Sequence, residues 1–224
     1  EDDVNGLTTY RFTQNVGYDA DGAYVAGSIL QYATVSFADV GLDLGTRSPY
    51  IADANFTSNR VSIQVGSNSD GGAPHIERSK FSGGVAILLN GGRPLIRQNR
   101  IIGGSDAIGG SGSPQILQNI IRSNTASMGV IYINGTPVVV GNVIQNNAGG
   151  ALSMWSSYAP VIHDNVIVGN GGGISASGQQ SVDIEHNLIA GNGGNTNGAS
   201  CPPPCSGGGP ALALDVQSTG TNQG

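Results

Sequence analysis

The sequence predicts an all-β solenoid of about eight rungs, in which short strands stack in parallel with a repeat of about 22 residues. Three observations carry this. A short pattern recurs along most of the chain: Pro160 to Asn170 reads PVIHDNVIVGN, and its copies are RPLIRQNRIIGG ending at Gly104, SPQILQNIIRSN ending at Asn124 and TPVVVGNVIQNN ending at Asn147. Inside each copy apolar residues alternate with polar ones, the period of a strand with one side buried. No stretch sustains a 3.6-residue period, so no helices are expected between the strands.

Taken in order, Glu1 to Ala26 fits the pattern poorly and is expected to be a leading coil or the torn edge of a longer protein. The first rung starts at Ser28, and later rungs start at Pro49, Pro74, Pro94, Pro114, Pro137, Pro160 and Val182. The widest interval holds Gly66 to Gly72, a local insertion. A second apolar segment precedes most of the prolines, as in Val61 to Val65, Val85 to Leu89 and Val130 to Ile133. Each repeat therefore holds two or three short strands, separated by Gly, Asn and Ser corners that tolerate left-handed backbone. From 193 to 207 a Pro-rich insertion carries the two cysteines, and Ala211 to Leu214 returns to a strand-like pattern. The continuous repeat makes 1–224 a single domain.

The register sorts side chains into columns. One apolar column runs Leu30, Ile51, Ile76, Ile96, Ile116, Val139, Ile162, Ile184, and another runs Val35, Phe56, Phe81, Ile101, Ile121, Ile144, Ile167, Ile189. Between them Asn99, Asn119, Asn142, Asn165 and Asn187 recur, and stacked asparagines pair amide to amide from rung to rung. That ladder reads as structural.

Bulk composition narrows the function. The formal net charge of −6 gives no reason to expect nucleic acid, which calls for a Lys/Arg surface. No apolar run approaches the roughly 18 residues of a membrane span. Cys201 and Cys205 flank three prolines and suit a small disulfide-closed loop, hence an oxidising, extracellular or cell-surface setting. Two cysteines alone are too few for zinc.

The Pro-x-Ile-x-x-Asn-x-Ile-x-x-Asn/Gly-x-x-Gly-Gly rungs, from Ser28 to Asn192, resemble the right-handed parallel β-helix repeats of the pectate-lyase-like superfamily. The resemblance implies a right-handed parallel β-helix. It leaves activity open, because that fold serves lyases, hydrolases, epimerases, adhesins and spacers. Catalytic members set acidic residues, sometimes holding calcium, and an Arg or Lys base along one outer groove.

Measured against that pattern, Asp53 beside Arg78 and Glu77 beside Arg97 read as cross-strand ion pairs of an exposed charge ladder. The candidate site lies further on. His163-Asp164 on one rung faces Glu185-His186 on the next, so two imidazoles and two carboxylates share a corner that suits a divalent metal or an acid–base pair on a sugar. No resident metal is assigned; calcium is the ion that the resemblance allows. Tyr132, Trp155 and Tyr158 lie on or beside the outer side of the second apolar segment, and aromatic rings with one wet face are what sugar rings stack on.

The ends of such a coil are strand edges that template pairing unless capped, and neither end of the chain reads as a capping helix. Partners are therefore expected to be the chain itself or flanking domains, through the ends, together with polysaccharide. The reading that results is an extracellular or cell-surface structural or adhesive module, self-assembling end to end or contacting glycans. The alternative is a polysaccharide-active lyase or glycoside hydrolase working through His163, Asp164, Glu185 and His186.

Overall fold

A computed structural model describes residues 17–20, 24–69, 71–127, 129–155, 159–177 and 182–193, with the strand Leu212–Asp215. Cys201, Cys205 and Tyr158 lie outside the described residues. No helix occurs among the described residues, so none is long and apolar enough to cross a membrane.

Each rung contributes three strands, and like strands stack into three parallel sheets of eight. The first sheet runs from Ile29–Gln31 to Asp183–Glu185, the second from Thr34–Ser36 to Leu188–Ala190, and the third from Val40–Asp43 to Leu212–Asp215. The first- and second-sheet strands have three residues each, and third-sheet strands reach nine in Val61–Ser69. Part of the expected leading coil is ordered differently, with Gly17–Tyr18 pairing antiparallel to Tyr24–Ala26.

Both predicted apolar columns are present. Ile51, Ile76, Ile96, Ile116, Val139 and Ile162 stand in register along the first sheet and are fully buried. Phe56 through Ile167 do the same along the second, with Phe56 and Phe81 stacked at 4.8 Å between ring centres. A third buried series, Leu42, Ile63, Ile87, Ile108, Ile131, Leu152 and Ile174, completes the core from the third sheet.

The corner between the first two sheets explains the asparagines. The residue before each ladder position has left-handed backbone: Asp53, Arg78, Gln98, Gln118, Asp164 and His186 all have φ between 45° and 57°. That reversal turns the next side chain inward, where only a group that satisfies the freed backbone is tolerated. Asn119 meets the need. Its Nδ2 donates to Ile96 O at 2.9 Å and to Asn142 Oδ1 at 3.0 Å, while its Oδ1 accepts from the backbone N–H and the amide of Asn99. A second ladder, Asn124, Asn147, Asn170 and Asn192, repeats this arrangement at the next corner, where Ser123 and Asn146 are left-handed. The repeat carried this ladder in its last Asn/Gly position, yet only the first was singled out from sequence.

Candidate functional site

Outward side chains of the first sheet form two columns, because residues one and three of each strand face away from the core. One holds Tyr50, His75, Leu95, Gln115, Val138, Val161 and Asp183; the other holds Ala52, Glu77, Arg97, Leu117, Val140, His163 and Glu185. Charge gathers at both ends of this face and aliphatic side chains fill the middle.

The earlier group is an ion-pair knot. Arg78 Nε and Nη2 donate to Asp53 at 3.0 and 2.9 Å, Arg78 Nη1 donates to Glu77 Oε2 at 2.7 Å, and Arg97 Nη2 lies 3.0 Å from Glu77 Oε1. Arg78 also donates to the Tyr50 hydroxyl. The pairs expected from sequence are present, but the expectation of an exposed charge ladder is corrected at Glu77, which is 0% exposed. Two guanidinium groups from different rungs close over it above the small Ala52, which registers beside it. Burial pushes the Glu77 carboxyl up, but its contacts with His75 and Arg97 and the charges of Arg97 and Arg78 outweigh it, so it is held below the ordinary range. Arg78 is held above its usual value by its bonds to Asp53 and Tyr50.

At the later end the structure divides the four residues picked from sequence. His163 and Glu185 are cross-strand neighbours on the flat face. Asp164 and His186 sit at the left-handed corner instead, exposed and 3.8 Å apart. The partner nearest His163 is Asp183, whose Oδ1 lies 3.0 Å from its Nε2. That contact is the largest influence holding the imidazole above its usual value; burial opposes it, and the charges of Asp183, Glu185 and Asp164 add smaller upward contributions. One donor atom each from His163, Asp183 and Glu185 falls within 4.8 Å of the others. Asp183 was not singled out from sequence, although two residues before Glu185 is the spacing that puts both on one strand face.

The third sheet carries the aromatic candidates. Tyr132 registers with Ser153 and is half-buried, whereas Trp155 stands two positions on, is 54% exposed, and follows Asn134 and Ser111 along one column. The two rings therefore do not share a column. Ser111 and Asn134 belong to the rim of an open trough of about 680 Å³, lined by 71–73, 91–93, 111–113 and 134–136. Its floor depends on glycine: a Cβ on Gly135 would sit 1.9 Å from Gly112 O. Ser113 and Thr136 hydroxyls pair across it at 2.6 Å, and exposed Arg93 supplies a cation. This trough sits where third-sheet strands hand over to first-sheet strands, and its last lining segment, 134–136, leads into Val138–Val140, the strand paired with Val161–His163.

A family model described as the right-handed beta helix region matches residues 45–202, more than half of the chain. No curated protein and no solved structure matches.

Proposed function

The chain belongs to the right-handed β-helix family, and on that premise we propose that it is an extracellular or cell-surface structural module that adheres to glycans. The observation that carries this is Trp155. It is exposed by 54% on a rigid strand, one rung beyond Asn134 at the edge of a trough of backbone amides and hydroxyls. An aromatic face beside clustered small hydrogen-bonding groups is the chemistry that holds a sugar chain. Arg93 in the same trough favours an acidic polysaccharide. Among the described residues that line the trough there is no carboxylate and no imidazole, which supports binding over catalysis, since an enzyme needs its acid and base where the substrate is held.

Affinity electrophoresis tests this. Mobility of the chain is expected to be retarded by gels containing uronic-acid polysaccharide, less by neutral ones, and restored by Trp155→Ala. Equal mobility in every gel, or retardation untouched by Trp155→Ala, would count against the glycan reading.

Self-association through rung edges belongs to the same proposal. Tyr32 and Phe37, at corners of the first rung, are 82% and 81% exposed. Sedimentation velocity over a dilution series is expected to show larger species at higher concentration; one unchanging species would remove this part of the proposal.

A further inference from the structure

We propose that His163 Nε2 and the carboxylates of Asp183 and Glu185 form a binding site for one borderline divalent cation, Zn²⁺ above Mg²⁺ or Ca²⁺, on the outer face of the first sheet. The argument is independent of the glycan reading. It begins with strand geometry. Glu185 is the register partner of His163, and Asp183 lies two residues earlier on the same strand face. Ile162, just before His163, and Ile184, between Asp183 and Glu185, pack in the core column, so all three side chains spring from pinned backbone.

The spacing fits. Zn–N and Zn–O bonds of about 2.0–2.2 Å place neighbouring ligand atoms roughly 3.0–3.5 Å apart in octahedral or tetrahedral geometry. His163 Nε2 and Asp183 Oδ1 are already 3.0 Å apart, and the full triad falls within 4.8 Å. Glu185 is exposed, so a rotamer change brings its carboxylate into range without moving backbone. The His163 Nε2 atom is itself shielded from solvent, facing the carboxylates.

The donor set selects the ion. Hard Ca²⁺ and Mg²⁺ take oxygen ligands, whereas one imidazole with two carboxylates suits zinc and its neighbours among the first-row metals.

The charge distribution gives a separate reason to expect a cation here. No Lys or Arg follows Arg122, while Asp164, Asp183, Glu185 and Asp215 all do. Among the described residues no Lys or Arg lies within ion-pair distance of Asp164, Asp183 or Glu185, unlike Glu77 with its two arginines. A bound ion would supply that charge. It would also tie the strand Asp183–Glu185 to Val161–His163, where Ile184 and Ile189 are only partly buried.

The test is calorimetric titration of the full chain with Zn²⁺, alongside thermal unfolding with and without the ion. One equivalent is expected to bind. His163→Gln, Asp183→Asn and Glu185→Gln should each weaken it by more than about tenfold, the lower limit for losing even a supporting residue at a metal site. His186→Gln, at the adjoining corner, should leave it unchanged. Zn²⁺ should raise the unfolding temperature of wild type and His186→Gln alone. Absence of saturable binding, binding that survives all three ligand substitutions, equal loss in His186→Gln, or tighter binding of Ca²⁺ than Zn²⁺ would overturn the proposal.

Discussion

Glu77 and Glu185 occupy the same column of the same sheet, five rungs apart, and their surroundings are opposite. Glu77 is buried, touched by two arginines and a histidine, and its cluster is close to charge balance. Glu185 is exposed beside Asp183 and His163, with no arginine or lysine in ion-pair contact with it among the described residues. A repeat fixes where an outward side chain points, but its neighbours one rung away decide whether it becomes part of the wall or a free donor. The first cluster is a lock; the second retains donor atoms for something else.

Substitutions should separate the two. Glu77→Ala leaves Arg78 and Arg97 gathered around nothing and is expected to destabilise the chain by about 3 kcal/mol, the lower end for breaking a buried pair, because both arginines are partly solvated. Urea unfolding measures it. The ladder offers the same contrast between a middle and a last rung. Asn119→Ala should cost about 2–3 kcal/mol, since it strips partners from Asn99 and from Ile96 O in a fully buried corner. Asn187→Ala, at a half-buried corner, should cost about 1 kcal/mol.

Acid sharpens the comparison further. Glu77 has its carboxyl lowered on folding, so the associated stability is fully present above the ordinary glutamate value of about 4.3 and is lost as pH falls through the lower folded value. Glu77→Gln should flatten stability against pH in that window. Among smaller effects, Gln118→Gly should gain up to about 1 kcal/mol by relieving a left-handed non-glycine residue with φ of 55°. Glu185→Ala should change stability by less than about 0.5 kcal/mol in metal-free buffer.

Much of this architecture was legible in the residues. Both Ile/Val columns and the first asparagine ladder follow from one register, because a period that recurs at every rung leaves little freedom in what stacks on what. The second ladder was equally visible at Asn124, Asn147 and Asn170, but its glycine substitutes at Gly84 and Gly104 made it look like ordinary turn chemistry. Burial of Glu77 was not legible: it depends on Arg78 and Arg97, from two rungs, folding over one carboxylate. The pairing of His163 with Asp183 is not legible from the corner positions, where Asp164 meets His186, but only from the strand face that Asp183 and Glu185 share. The offset between Tyr132 and Trp155 depends on strand register in the third sheet, where strand lengths vary and spacing alone does not fix it.

The most direct test is urea unfolding of Glu77→Ala and Glu185→Ala side by side, each in metal-free buffer and with excess Zn²⁺. The lock-and-donor account predicts that Glu77→Ala unfolds well below wild type yet is still stabilised by Zn²⁺, while Glu185→Ala matches wild type without metal and gains nothing from it. Equal loss in both variants without metal, or an equal gain from Zn²⁺ in both, would contradict the account.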